Sequence, residues 1–151
     1  MTDTRAANDN DVQRANRLTA IANLKTNGIS AVSGAAYNLV GETTRNNNTA
    51  LVEKLTAGIA TLSAEGLIAL QEAILGREDF TSFLPQINVP VTYICGAEDT
   101  VSPPEILKKM AEKTPDSLFY LVDSAGHLPC IENPAAFNEI VTNHMDRLIS
   151  G

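Results

Sequence analysis

The 151-residue sequence has no tryptophan, two cysteines and two histidines, and aromatic residues make up only 5% of it. Cys95 and Cys130 are too few and too far apart for a zinc-binding pattern, so we interpret them as free thiols of a reducing compartment, although folding could bring them to one rim. His144 is expected on the solvated side of the last helix, with no second ligand spaced to join it. The sequence therefore predicts no metal site and no cofactor.

Basic residues and long apolar runs are also scarce. Lysine and arginine number 11 against 18 acidic residues, for a formal net charge of −7, which argues against a general binder of nucleic acid. No run of about 20 apolar residues could span a bilayer, and residues 1–5 lack the apolar core of a secretory signal. We expect a cytoplasmic protein with no nucleic-acid or membrane partner, and one folded unit over residues 1–151.

The first part of the chain, residues 1–88, is predicted to be mostly helical. Apolar residues recur there at helical spacing, and polar or glycine-containing stretches separate the runs. The pattern predicts helices over residues 12–27, 29–40, 51–62 and 63–76, with a polar turn at residues 41–48 that contains three consecutive asparagines.

The second part, residues 89–151, reads as a β-α-β-α unit. Residues 90–95 and 117–122 are short runs rich in β-branched and aromatic residues, typical of strands. The helix between them has proline in its first turn, and Ser102 and Glu105 have the spacing of a capping box. A helix joining two strands predicts a right-handed parallel crossover, so both strands end at the same rim, about 5 Å apart.

Asp99 follows the first strand and His127 follows the second. Because both loops leave the same rim, the two side chains are expected side by side. A carboxylate in that place can hold one nitrogen of the imidazole and stabilise its protonated form, leaving the other nitrogen to act as a general base. The pair corresponds to two members of a catalytic triad.

The segments G-A-E-D-T-V-S-P-P-E and S-A-G-H-L-P-C-I-E-N-P resemble the acid and histidine segments of α/β-hydrolase-fold enzymes, whose triad runs serine, acid, histidine along the chain. The resemblance implies that Asp99 is the triad acid and His127 the triad base. It also implies a partial α/β-hydrolase fold, with residues 1–88 as a helical cap over the active site and a short parallel sheet after it. Residues 2–11 resemble the segment just beyond the strand that precedes the cap, and that strand itself is expected to be lost.

The nucleophile motif of this family, G-x-S-x-G on a strand-to-helix turn, does not occur in the sequence. Ser33, in A-V-S-G-A, is the nearest approach, but it lacks the flanking glycines and lies in a predicted helix. There is also no H-G-G-G-type oxyanion segment. We interpret the chain as the C-terminal portion of a hydrolase of the esterase or lactonase type, inactive alone.

A parallel sheet of two strands would leave the first strand with an open edge, which is a template for pairing. We therefore expect either a homodimer or a complementary chain that carries the missing half, with a small acyl compound as substrate. Two alternatives stay open on sequence alone: a non-catalytic binding module that keeps the old pocket, and a truncated fragment of a full-length hydrolase.

Overall fold

The computed structural model describes residues 1–150 of the chain. Helices dominate it, and two strands lie in its second half. The elements are α1 (Asp11–Asn27), α2 (Ala35–Leu39), α3 (Glu42–Asn47), α4 (Thr49–Ala60), α5 (Ala64–Leu75), β1 (Val91–Gly96), α6 (Pro104–Lys113), β2 (Ser117–Val122), α7 (Pro129–Glu132) and α8 (Pro134–Ser150), with 3₁₀ helices at Gly28–Val32 and Thr81–Gln86.

The two strands pair in parallel, with Val91 opposite Ser117 and Gly96 opposite Val122. All six residues of β1 are buried, because helices cover both faces of the sheet, as parallel sheets require. On one face, Tyr93 and Val91 pack in a core with Met110 and Ala111 of α6. A second core on the other face joins the sheet to α8 and contains Ile94, Val122, Ala125, Ala136, Phe137 and Ile140.

The far edge of β1 is not fully open, contrary to the prediction. Thr2 forms a parallel bridge with Ile94, the Ile94 amide donates to the Met1 carbonyl at 2.9 Å, and the Met1 ammonium donates to the Thr92 carbonyl at 2.6 Å. Residues 1–3 therefore pair with part of this edge, where the sequence analysis expected no pairing partner. Three residues are too short to show a strand pattern in the sequence.

The helical segment differs from the prediction in two places. Residues 29–40 are not one helix, because a turn at Ser33-Gly34 separates the 3₁₀ helix from α2. Residues 41–48 are not a turn, because α3 occupies residues 42–47, and Asn48 caps α4 by accepting from the Leu51 amide. Helices α1, α4 and α5 lie where the apolar spacing predicts them.

Helices α1 and α5 pack against each other through polar as well as apolar groups. The Arg17 guanidinium donates to Gln71 Oε1 at 2.6 Å and to the buried Asp9 carboxylate at 2.7 Å.

Within residues 1–150, no single helix is long and apolar enough to cross a membrane. Helices α4 and α5 together would be long and apolar enough, but a bend of 95° separates them.

Candidate active site

The acid loop follows β1 and fixes the carboxylate of Asp99. The residue is only 3% exposed, and its Oδ1 accepts hydrogen bonds from the backbone amides of Val101 at 2.8 Å and Ser102 at 3.0 Å. Ser102 is thus a backbone donor to Asp99 and not the N-cap of α6; Pro103 occupies the N-cap position, without a side-chain cap. These bonds leave Oδ2 free to face the neighbouring loop.

The histidine loop follows β2 and is held from two sides. The Glu98 amide donates to the Ala125 carbonyl at 2.8 Å, and the His127 amide donates to the Leu39 carbonyl of α2 at 2.8 Å. One bond comes from the acid loop and the other from the helical segment, so the position of His127 depends on both parts of the chain.

The structure brings the two predicted residues together. His127 Nδ1 lies 2.9 Å from Asp99 Oδ2, with the Asp99 side chain fully buried and that of His127 20% exposed. Because the carboxylate accepts, the neutral imidazole carries its proton on Nδ1 and leaves Nε2 as an acceptor. The hydrogen bond that His127 donates to Asp99 raises the pKa of His127 against the opposing effect of burial, and the charges of Asp99 and Asp3 add to the rise.

Glu132, the acidic residue of the E-N-P sequence after His127, is a positioning group that the sequence analysis did not single out. Its Oε1 accepts from the amides of Gly126 at 2.8 Å and Leu128 at 3.1 Å. Its Oε2 accepts from the Gly41 amide and the Thr44 hydroxyl, both at 2.7 Å. One carboxylate thereby ties the histidine loop to the start of α3. Its place five residues after His127 is the only signal that could have found it.

Glu98 forms a second tie between the acid loop and α3. It accepts from the amide of Thr43 at 2.8 Å and also from the Thr43 hydroxyl. Burial alone would raise the pKa of Glu98, but the hydrogen bonds from Thr43 outweigh it and hold the pKa below the ordinary value. Both loops of the site are therefore braced by carboxylates against the same short helix.

Two glycines allow the loops to approach each other. A Cβ on Gly126 would lie 2.3 Å from the Gly41 nitrogen, and a Cβ on Gly96 would lie 2.0 Å from the Gly126 carbonyl oxygen. Both distances are to backbone atoms, which cannot move aside as a flexible side chain could. Gly96, which follows Cys95, and Gly126, which precedes His127, are thus required by the close packing of the two loops.

A third acidic side chain, Asp3, reaches the same place from the N-terminal residues beside β1. One oxygen of Asp3, one of Asp99 and one ring nitrogen of His127 all lie within 4.8 Å of one another. Burial raises the pKa of Asp3 to about 6, opposed mainly by a hydrogen bond from Thr2. The hydrogen bonds of Asp99 account for this arrangement as an acid–base pair, and we assign no metal to it.

The remaining sequence-based candidates lie away from the pair or carry no visible role. Ser33 is exposed in the turn before α2, and its φ of −56° and ψ of −29° are ordinary helical values, unlike the strained nucleophile turn of the family. Cys95 is buried and Cys130 exposed, and both are free, as predicted. His144 is not on the solvated side of α8, because its Nδ1 lies 2.9 Å from the Thr92 hydroxyl of β1.

Comparison with known proteins identifies the class. Residues 7–134 match the family model of the α/β-hydrolase fold, and the chain belongs to that family. The part of the fold present is a series of helices followed by a short parallel sheet between α6 and α8. The family and the fold class predicted from the sequence are confirmed.

Its relatives include enzymes named for ester and lactone hydrolysis. The chain is 35% identical over 97 residues to 3-oxoadipate enol-lactonase 2 of Acinetobacter baylyi, covering 64% of this chain and 36% of that protein. It is 33% identical over 75 residues to pimeloyl-(acyl-carrier protein) methyl ester esterase of Legionella pneumophila, covering 50% and 31%. The chain thus spans about a third of the length of these curated relatives.

Among solved structures, a thermophilic esterase from Thermogutta terrifontis superposes with a TM-score of 0.90 at 28% sequence identity. The superposition covers 97% of this chain and 54% of the esterase. Nearly every described residue therefore has a counterpart in a protein about twice as long.

Proposed function

We propose that this chain supplies the acid and the base of a serine-hydrolase-type site that acts on carboxylic esters or lactones. The observation that carries the proposal is the 2.9 Å contact between His127 Nδ1 and the buried Asp99 carboxylate, which leaves Nε2 available as a base. The named activities of the enol-lactonase and the two esterases support the substrate class.

In the proposed reaction, His127 Nε2 takes the proton of a serine hydroxyl while the serine oxygen bonds to the acyl carbon. Asp99 holds the Nδ1 proton and stabilises the imidazolium. The imidazolium then gives its proton to the leaving alkoxide, and the acyl-enzyme forms. Water, deprotonated by the same nitrogen, attacks the acyl carbon, the bond from that carbon to the serine oxygen breaks, and the imidazolium returns its proton to the serine oxygen, which releases the carboxylic acid and the free serine.

The serine is proposed to come from a segment that follows the G-x-S-x-G pattern and docks beside Met1–Asp3. An apolar groove of about 370 Å³ lies there, lined in part by Thr2, Ile94, Phe137 and Val141. Parallel pairing already occurs at this edge, through Thr2 and Ile94, and the superposed esterase is about twice as long as the chain. Both facts favour such a segment over a second copy of the chain, which is the competing occupant.

The helical segment is proposed to act as a cap that contributes to the acyl pocket. An almost wholly apolar groove of about 330 Å³ runs along α4, lined by Leu55, Ile59 and Leu62 among others, and Ile131 of α7 also lines it. Ile131 lies four residues after His127, so an apolar acyl chain in this groove would approach the histidine loop.

A chimera tests the proposal. The nucleophile-bearing part of the Thermogutta terrifontis esterase, which this chain does not match, is joined ahead of Met1, and hydrolysis of a short-chain nitrophenyl ester is measured. We expect activity that falls about 10³- to 10⁴-fold in His127→Gln. The matched control Lys108→Gln places the same glutamine at an exposed position of α6, outside both apolar grooves, and should retain most of the activity.

A folded chimera without esterase activity, or equal activities of the two glutamine variants, would refute the proposed role of His127. The chain alone, assayed in parallel, should be inactive. Activity of the chain alone that depends on His127 would instead make Ser33 the nucleophile to test. Sedimentation of the chain alone tests the competing occupant of the groove, a second copy of the chain, because a dimer would show that a second copy covers the groove.

A further inference from the structure

Asp3 lies beside the Asp99–His127 pair, and its backbone has a conformation that is unusual for a residue other than glycine. Its φ is 46°, in the left-handed region that non-glycine residues rarely adopt. The Asp3 amide donates to the Ile94 carbonyl at 3.4 Å, and the Thr2 hydroxyl donates to Asp3 Oδ2. These contacts hold the carboxyl group beside the ends of β1 and β2.

One oxygen of this carboxyl group, Oδ1, is buried without a hydrogen-bond partner. The carboxyl group lies within 4.8 Å of the Asp99–His127 pair, so its charge acts on the imidazole across little solvent. The charged groups that act on Asp3 or on the residues around it are Asp99 and His127, the Met1 ammonium, Arg5, and Glu105 of α6.

We propose that Asp3 is a positioning residue of the site, a second carboxylate that stabilises the protonated imidazole of His127 when it is ionised. The ionised Asp3 places a second negative charge beside the imidazole, in addition to that of Asp99. This charge is lost when Asp3 takes up a proton in mildly acidic solution. The inference rests on the proposed function, because stabilising an imidazolium matters for a histidine that must accept and return a proton.

The direction in which Asp3 changes the pKa of His127 depends on whether Asp3 is ionised. With a pKa of about 6, Asp3 is ionised at neutral pH and supports the imidazolium there. Below that value it becomes neutral and the support is lost. Since an opposite charge at this range shifts a partly buried group by about one unit, the pKa of His127 should fall by about one unit when Asp3 is made neutral.

The test is an NMR titration of the His127 ring in the chain itself, for the unsubstituted protein and for Asp3→Asn. The matched control is Asp123→Asn, which removes the same charge from an exposed residue of the loop that carries His127. We expect a downward shift of about one unit for Asp3→Asn and less than about 0.3 for the control. Asp3→Glu, which keeps the charge, should recover part of the shift. Equal shifts in Asp3→Asn and Asp123→Asn would overturn the inference.

A second measurement needs no substitution. The side-chain carboxyl carbon of Asp3 should titrate near pH 6 in the unsubstituted chain, and a midpoint near 4, the ordinary value for an aspartate, would overturn the part of the inference by which Asp3 loses its charge in mildly acidic solution.

The proposed function and the proposed role of Asp3 can be refuted independently of each other. In the active chimera, Asp3→Asn should move the acidic limb of the kcat/KM profile to lower pH by the same amount as the NMR shift, because His127 must be neutral to act as a base. An inactive chimera together with the expected NMR shift would refute the proposed function and leave the role of Asp3 standing. An active chimera with no NMR shift would do the reverse.

Discussion

Replacing Glu132 with glutamine tests whether one carboxylate holds the histidine loop on the rest of the chain. The carboxylate accepts four hydrogen bonds, two on each oxygen. In Glu132→Gln one oxygen becomes an NH₂ group, which faces backbone N–H donors instead of accepting from them. Leaving one or two such donors unsatisfied, and losing the charge on the remaining bonds, should cost about 3 kcal/mol of unfolding free energy.

Urea unfolding followed by circular dichroism measures this cost. For a domain of this size, about 3 kcal/mol corresponds to a fall in Tm of roughly 6–12 °C. Glu139→Gln on the exposed side of α8 makes the same change of charge and is the control, with an effect below about 0.5 kcal/mol. If Glu132→Gln is within about 0.5 kcal/mol of that control, the argument that Glu132 braces the loop is wrong.

Three further changes probe the rim and its support. Gly126→Ala forces a Cβ to 2.3 Å from a backbone nitrogen and should destabilise the protein by at least about 2 kcal/mol, whereas Gly58→Ala in open space within α4 should stabilise it by about 0.5–1 kcal/mol, both measured by urea unfolding. Asp99→Asn should lower the pKa of His127, since burial is then opposed only by the charge of Asp3; an unchanged NMR titration would contradict the pairing. Three arginines, Arg17 foremost, hold the pKa of Asp9 below its usual range, so Asp9 stabilises the fold above its unfolded pKa and this stabilisation is lost as pH falls through the folded value. Asp9→Asn should be less stable at pH 7 and should lose less stability as the pH falls, and parallel stability curves would refute this.

The juxtaposition of Asp99 and His127 could be predicted from the sequence because it depends on local patterns and one topological rule. Each strand is a short apolar run, each loop follows at once, and a parallel crossover leaves both loops at one rim. The resemblance to the α/β hydrolases rests on the same two loops. The family match over residues 7–134 confirms the predicted membership of the α/β-hydrolase family.

The supports of the pair could not be predicted, because their partners are far apart in sequence. Glu132 and Gly41 are 91 residues apart, and nothing in either local sequence specifies the other. Asp3 belongs to a three-residue bridge that is too short to show a strand period. The turn at Ser33 and the helix at residues 42–47 depend similarly on tertiary contacts, since apolar spacing in such short stretches fits several structures.

The most direct test of the central claim is whether Asp99 and His127 together activate a serine. In the esterase chimera, the rate of labelling of the serine by a fluorophosphonate should fall by about 10³-fold or more in Asp99→Asn and in His127→Gln, and the double variant should be no slower than the slower single variant, because the two act as a unit. Rapid labelling that neither substitution slows would show that the pair does not serve as the acid and base of the site.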